Sequence, residues 1–495
     1  MNSPPLLTVL IGLPLLGAFL AWLAPHPRQA RALAVGVGIG ELLISLNVVA
    51  KIDPQLSGFQ LMERHTWIPS IHAEYLLGVD GLSVLLLPAC ALLFLATLIA
   101  NWNLTGRVLP NLYFALLLLL EGVTMGLFCA LDALLFFLFW ELTLIPIHFL
   151  IALWGMGPDR RHAAVKYTLF MLAGGAALLF GLLIMAQAQP GQTLSFDLTR
   201  WLQHPLPKST QWPVFFLLLV GFGIKVPLVP LHVWLPIVSM EGPVSMTAIM
   251  TGLKLGAYGL LRFLLPLAPD VARELHWLLA GLAVVSIVYG ALSALAQTNL
   301  RRMLAFSSIS HVGLVVLGLA TLTVQGVQGA VNQLFNFALT SGGLFLLIGF
   351  LHQRVGSTDL IHLGGLARPL PVMSGLFLLL GLAGMGMPLT SGFPGELLLV
   401  ISSLKAHAGS GLAGLGGVIL GAGYFLGFYR KAFLGPLNRN LPEILPELLP
   451  REKLVLYTFA GLILLLGLYP DWMLDLSRAS ASAWAERIAM VGTGR

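Results

Sequence analysis

Long apolar stretches, separated by short polar connections, run the length of the chain. Runs near the ~20 residues that a helix needs to cross a bilayer start near Pro5, Ala32, Gly81, Tyr113, Leu131, Ala164, Pro213, Val244, Leu275, Met303, Val324, Pro371, Gly411 and Leu454. This spacing predicts an all-α, polytopic membrane protein of about fourteen transmembrane helices. The stretch Tyr113 to Trp154 is one long run that must hold two helices, with Asp132 at the turn. Two connections are long enough for surface structure, Lys51 to Gly78 and Leu434 to Lys453. The prolines of Leu-Pro-Glu-Ile-Leu-Pro-Glu-Leu-Leu-Pro (441–450) keep the second from spanning, so it is expected along the surface. The tail, Ser477 to Arg495, is amphipathic and reads as an interfacial helix. The first run lacks a basic start and a small-residue cleavage site and is read as a retained helix.

The run 221–236, Gly-Phe-Gly-Ile-Lys-Val-Pro-Leu-Val-Pro-Leu-His-Val-Trp-Leu-Pro, departs from this pattern. Lys225 lies mid-span, and Pro227 and Pro230 follow within a turn and a half. Each proline removes a backbone N–H and clashes with the carbonyl four residues back, so the helix must break. A broken helix persists in a bilayer only where protein or a wet cavity surrounds it. An intramembrane lysine costs a few kcal/mol or more and marks a functional site. Gly384-Met385-Gly386-Met387-Pro388-Leu389 echoes Gly223 to Leu228, with Pro388 and Pro394 as a second break followed by Glu396. Paired interrupted spans point to a repeat-built transporter with its ion sites at the breaks.

Composition sharpens the class. Only 10% of residues are charged and 57% are hydrophobic, against about 25% charged in soluble domains, which excludes a soluble globular protein. The net charge of +6 is scattered over connections, which suggests topology signals and no nucleic-acid partner. The odd-numbered connections carry most of the basic residues, among them Arg28, Arg31, Arg107, Arg160, Arg161 and Arg301. The positive-inside rule makes these cytoplasmic and places both termini on the other side. Cys90 and Cys129 fall in apolar runs without metal or haem spacing, so no cofactor and no metal is expected in this chain.

Few ionisable residues lie well inside spans: Glu121, Glu141, Lys225, Lys254, His311 and Glu396. Nothing in Phe-Phe-Leu-Phe-Trp-Glu-Leu-Thr (136–143) solvates Glu141, so it needs a partner on another helix, and Lys225 is the natural one. Burial disfavours either charge alone. Side by side each favours the other's charged form, and parting them releases a proton. Lys254 is a second carrier candidate. His311, among serines, suits a relay because imidazole titrates near neutrality, and Glu396 is the far end. Glu121 reads as a relay residue or a helix–helix hydrogen-bond partner.

These residues resemble a family. Phe-Trp-Glu-Leu-Thr-Leu-Ile-Pro (139–146), Lys-Val-Pro-Leu-Val-Pro-Leu-His-Val-Trp-Leu-Pro (225–236), Gly-Leu-Lys-Leu-Gly-Ala-Tyr-Gly-Leu-Leu-Arg-Phe (252–263), Arg-Arg-Met-Leu-Ala-Phe-Ser-Ser-Ile-Ser-His-Val-Gly (301–313) and Ser-Gly-Phe-Pro-Gly-Glu (391–396) look like the antiporter-like subunits of respiratory complex I. The likeness is nearest to the subunit called M in bacteria and chain 4 in mitochondria and chloroplasts. It runs from about Leu82 to Asp475. It implies fourteen helices, two inverted five-helix repeats, and proton pumping driven by quinone reduction in partner subunits that hold the quinone site and Fe–S clusters. The implied segments are an N-terminal three-helix part (1–110), a first repeat (111–266), a second repeat (267–435), and a part with the surface loop, last span and tail (436–495). Carried over by position, Glu141 and Lys225 match the family's ion pair. Lys254 matches its central lysine, His311 its relay histidine and Glu396 its terminal glutamate.

Two departures stand out. Ile237 to Gly242 is shorter than the family's usual segment, and Asn336-Phe337 replaces the usual Ser-His. The polar link from Lys254 to Glu396 then needs a hydrated detour by Asn332, Gln333 or Asn336, with Ser307 and Ser310. With Gly356 to Asp359, these changes look like the chain 4 paralogues of cyanobacterial photosynthetic complex I that serve carbon dioxide uptake. The implied partners are neighbouring antiporter-like subunits, lipid and, in that variant, a carbon dioxide-hydrating subunit. The implied membrane is a bacterial plasma membrane or a thylakoid. Two other functions remain open: a subunit of a multisubunit sodium–proton exchanger, and a non-pumping scaffold that docks the carbon dioxide-hydrating partner.

Overall fold

The computed structural model describes residues 5–102, 109–189, 194–439, 441–442 and 444–490. Arg107 and the last five residues of the tail lie outside that range. The chain starts with α1 (Leu6–Leu23) and α2 (Pro27–Ala50), then a hairpin of β1 (Gln60–Ile68) and β2 (Ala73–Val79), then α3 (Leu86–Ala100) and α4 (Pro110–Cys129). The next group is α5 (Ala133–Leu142), α6 (Leu144–Trp154), α7 (Arg160–Gln187), the short α8 (Leu198–Gln203), α9 (Lys208–Lys225) and α10 (Trp234–Glu241). One span then comes in pieces: α11 (Val244–Gly252), α12 (Leu255–Gly259), a π-helical turn at Leu260–Leu264 and α13 (Leu265–Leu267), with α14 (Pro269–Glu274) beyond it. The last group is α15 (His276–Leu295), α16 (Leu300–Ala320), α17 (Val324–Val355), α18 (Pro371–Gly384), α19 (Gly392–Ala406), α20 (Ala408–Phe433), α21 (Pro450–Leu468) and α22 (Asp471–Met490).

Among the described residues ten helical stretches are each long and apolar enough to cross a membrane. The shorter α3, the interrupted α9 and α18, and α21 complete the fourteen crossings that the hydropathy predicts, so the protein is an integral, multi-pass membrane protein. The spans sort into two environments. α4, α16, α17 and the piecewise α11–α13 span are almost wholly buried, whereas α1, α2, α7, α15 and α20 expose an apolar face. A helix apolar on all sides belongs inside a bundle, and one that keeps an apolar outer face in contact with lipid belongs at its rim.

The connections obey local chemistry. Asp132 sits at the turn within the long Tyr113–Trp154 run and caps α5 by accepting from Leu134 N and Leu135 N at 2.9 and 3.0 Å. Its other oxygen accepts from Glu74 N at 3.0 Å, which ties the hairpin to the cap. The hairpin is the surface structure expected between Lys51 and Gly78. The proline-rich connection is held by Arg354, which donates to Pro446 O at 2.7 Å, to Glu447 O at 3.1 Å and to Glu452 Oε2 at 2.5 Å. The Arg354–Glu452 pair is buried. Removing one partner of such a pair costs about 3–5 kcal/mol, so Arg354→Ala is expected to free the connection. Limited proteolysis should then cut between Leu434 and Pro450 far faster than in the wild type.

The tail is less peripheral than its amphipathic pattern predicts. α22 starts at Asp471, bends 68° away from α21 and packs on α13, α14 and α17. Trp484 Nε1 donates to Leu261 O at 2.9 Å, a carbonyl inside the π-helical turn, and Ser480 Oγ accepts from Gly81 N at 3.1 Å. Its apolar face therefore rests on protein.

Candidate functional site

Both proline-marked spans are interrupted. α9 stops at Lys225 and the chain resumes as α10 at Trp234; α18 stops at Gly384 and α19 starts at Gly392. The flanking arrangement repeats as well. α7 packs against both α9 and α10, and α17 packs against both α18 and α19. A third interruption carries no proline. α11 ends at Gly252, Leu253 is extended (φ −101°, ψ 105°), and Lys254 begins the second half of that span.

Lys225 closes α9 with its ammonium over the Trp140 ring, 4.0 Å from the centroid, donating to Thr143 Oγ1 at 2.9 Å. Among the described residues no direct ion pair joins it to Glu141. The Glu141 carboxylate turns towards α7 instead, where a Cβ on Gly175 would lie 1.9 Å from Oε1. Only glycine leaves that space. Thr143, at the junction of α5 and α6, thus stands as the hydroxyl beside the lysine. A cavity of about 40 Å³ lined by Lys225, Tyr167, Thr124, Leu253 and Leu255 leads from Lys225 to the chain on either side of Lys254. That volume exceeds what one water needs.

Lys254 is buried, and its ammonium donates to Ser308 Oγ on α16. The Phe337 ring lies 5.2 Å from that ammonium, and the His311 and Phe337 centroids are 6.5 Å apart, so Phe337 stands between the two titratable groups. The polar line passes beside it. Ser307 Oγ bonds Tyr424 OH at 2.7 Å, Tyr424 OH bonds His311 Nε2 at 3.1 Å, and His311 Nδ1 lies 3.7 Å from Glu396 Oε1. A cavity of about 30 Å³ adjoins Ser307, His311, Phe337 and Tyr424. Glu396 fills the space at Gly386, whose φ of +64° and lack of a side chain both suit glycine; a Cβ there would lie 2.1 Å from Oε2.

The polar side chains of the eleventh span face the second helix break. Asn336 Nδ2 donates to Gln333 Oε1 at 2.9 Å, and Ser391 Oγ donates to Asn336 Oδ1 at 2.7 Å. Gln333 Nε2 reaches Gly392 O at 3.4 Å. These side chains satisfy the second helix break beside Glu396. Asn332 is buried without a hydrogen-bond partner, and Ser310 donates to Ile287 O on α15. Glu121 is fully buried on α4 with neither oxygen bonded, and Glu41 on α2 is in the same condition. The sequence reading missed Glu41, Thr143, Ser308 and Tyr424. Thr143 and Ser308 sit next to residues already singled out; Tyr424 lies in a glycine-rich apolar helix with no local sign of its partners.

Three interrupted spans around a mid-membrane line of lysines, hydroxyls, a histidine and a glutamate define an antiporter-like membrane subunit. The family described as NADH:quinone oxidoreductase/Mrp antiporter, TM, matches residues 130–420. The chain is 38% identical over 485 residues to NAD(P)H-quinone oxidoreductase chain 4 1 of Synechococcus sp. (strain JA-2-3B'a(2-13)), covering 95% of this chain and 91% of that relative. It is 34% identical over 463 residues to NADH-quinone oxidoreductase subunit M of Rhodobacter capsulatus, covering 91% and 89%. A chain of respiratory complex I from Thermus thermophilus with bound NADH superposes with a TM-score of 0.90 at 30% identity, over 97% of this chain and 99% of that one. A chain of the Mrp complex from Dietzia sp. DQ12-45-1b shares the fold, with a TM-score of 0.85 at 22% identity over 99% and 100%. The chain belongs to the NADH:quinone oxidoreductase/Mrp antiporter family, in its chain 4/subunit M branch.

Proposed function

We propose that the chain is a proton-translocating membrane-arm subunit of a quinone oxidoreductase of the complex I type. The observation that carries this is the line from Glu141 past Lys225, Lys254, Ser308, Ser307, Tyr424 and His311 to Glu396, with one cavity between Lys225 and the chain beside Lys254 and another beside Ser307, Tyr424 and His311. Quinone, Fe–S clusters and electron donor belong to partner subunits, and this chain supplies only the proton path. The partners are neighbouring antiporter-like subunits. Residues 111–266 and 267–435 are the two repeats, inverted about a pseudo-two-fold axis; the matching embrace of α9/α10 by α7 and of α18/α19 by α17 supports this. Both termini lie opposite the arginine-rich connections.

The path beside Phe337 favours pumping over a docking scaffold. A multisubunit exchanger differs by a sodium requirement, which proton movement in sodium-free vesicles tests. Glu141→Gln keeps the shape beside Gly175 but cannot hold charge near Lys225. The expected result is a several-fold lower proton yield per electron from the assembled complex in sealed vesicles; a full yield removes Glu141 from the path. Phe337→His places a titratable ring between Lys254 and His311. Its yield is expected to be unchanged or modestly higher, and a marked loss would show that the ring serves as a barrier the pump needs.

A further inference from the structure

The half-span that starts at Lys254 carries polar groups every four residues, Lys254, Tyr258 and Arg262, at a spacing that keeps them near one face. Tyr258 follows Lys254 by one helical turn, about 6 Å, and Arg262 by about 12 Å. Arg262 is buried and grips Asp80 with both ends of its guanidinium, NH1 to Oδ2 at 2.7 Å and NH2 to Oδ1 at 2.5 Å. Its Nε donates to Tyr258 OH at 3.2 Å, and Tyr258 OH donates to Phe128 O at 3.1 Å. Asp80 Oδ1 also accepts from Leu82 N and Ser83 N at 3.0 and 3.2 Å. Beyond the pair a cavity of about 390 Å³ opens between the hairpin, α8 and α22, lined by Asp80, Arg262, Thr199, Gln203, Ser480 and Arg487 among others. Its rim at Ser57, Gly58 and Gln203 is exposed. Arg262 lies inside the π-helical turn, a local irregularity often found at functional sites.

We propose that this cavity is a proton port for Lys254, separate from the route to Glu396, with Tyr258 as the carrier and the Asp80–Arg262 pair as the gate. It rests on the reading of Lys254 as a proton carrier. In the present arrangement Lys254 is turned to Ser308, and Arg262 occupies both Asp80 oxygens, so the port is closed. When Lys254 swings towards Tyr258 and Arg262 lets go of one carboxylate oxygen, the ammonium gives up a proton. The Tyr258 hydroxyl takes one proton as it passes one on, Asp80 holds it, and water in the cavity removes it. Arg262 keeps its charge throughout, and nothing is oxidised or reduced.

The test uses the assembled complex in sealed vesicles, reading protons moved per electron. Tyr258→Phe keeps the ring that packs edge-on against Phe128 and removes only the hydroxyl. Ala483→Cys puts a thiol on the cavity wall, to be modified from the hairpin face by the impermeant cation methanethiosulfonate ethyltrimethylammonium. The expected result is a loss of more than half the yield in Tyr258→Phe, with quinone reduction retained, and a like loss in Ala483→Cys on labelling compared with the same vesicles before it. Full yield in either overturns the port. If those variants keep their yield while Lys254→Ala loses it, the port falls and the proton-carrier reading stands. If Lys254→Ala also keeps its yield, that reading falls too.

Discussion

Lys254→Ala is expected to bring the proton yield per electron down to the level of membrane leak, a fall of ~10²-fold or more, as for loss of a positioned proton-transfer group. Lys254 is the one lysine between the cavity that opens at Lys225 and the Ser308–Ser307 hydroxyls. Alanine leaves a helix break with nothing to accept a proton and an aromatic ring on the far side. Proton uptake and quinone reduction are read together in sealed vesicles, so that slow electron flow is not taken for lost coupling. Lys254→Arg separates two explanations. Arginine keeps a positive charge at the break but does not release its proton, so it should fail almost as completely as alanine. If arginine works, the lysine acts as a fixed charge and not as a carrier. If alanine works, the chain is a scaffold.

Tyr424→Phe ranks second. Its hydroxyl joins Ser307 to His311, and the ring itself is buried in α20. Phenylalanine keeps the packing and loses two hydrogen bonds, each worth about 1 kcal/mol net, so thermal stability should change little. The proton yield should drop by roughly tenfold, less than the ~10²-fold expected of a carrier, because water in the adjoining cavity restores part of the path. The same variant with Phe337→His added should recover yield, since the imidazole supplies a second way past the ring. An unchanged yield in Tyr424→Phe alone would mean that protons pass Phe337 on the Asn336 and Gln333 side.

What the sequence makes legible here is what proline, charge and span length encode locally. Pro227 and Pro388 announce two of the breaks, Asp132 announces the turn before α5, and the lone charges in apolar runs announce Glu141, Lys225, Lys254, His311 and Glu396. The third break is silent because Leu253 carries no proline and takes an extended backbone only through its surroundings. Tyr424 is silent for a related reason. Its partner His311 lies 113 residues away, and tyrosine in an apolar helix is ordinary until a neighbour is placed against it. The expected Glu141–Lys225 pair shows the converse limit. Charge complementarity marks the two residues as partners, but local geometry decides that a threonine and a tryptophan face receive the ammonium while the carboxylate turns to Gly175.

The position of α22 has a consequence for biogenesis. It follows every span in the chain, yet its Ser480 and Trp484 bond to Gly81 and Leu261, at the starts of the third crossing and of the π-helical turn. A membrane-inserted nascent chain can therefore thread all fourteen crossings while the wall of the large outer cavity is still missing. That wall closes only when synthesis has delivered Asp471 to Met490. Quality control that samples a stalled or shortened product would meet a pore-lipped intermediate, with the Asp80–Arg262 pair facing water, and not a finished subunit lacking an ornament.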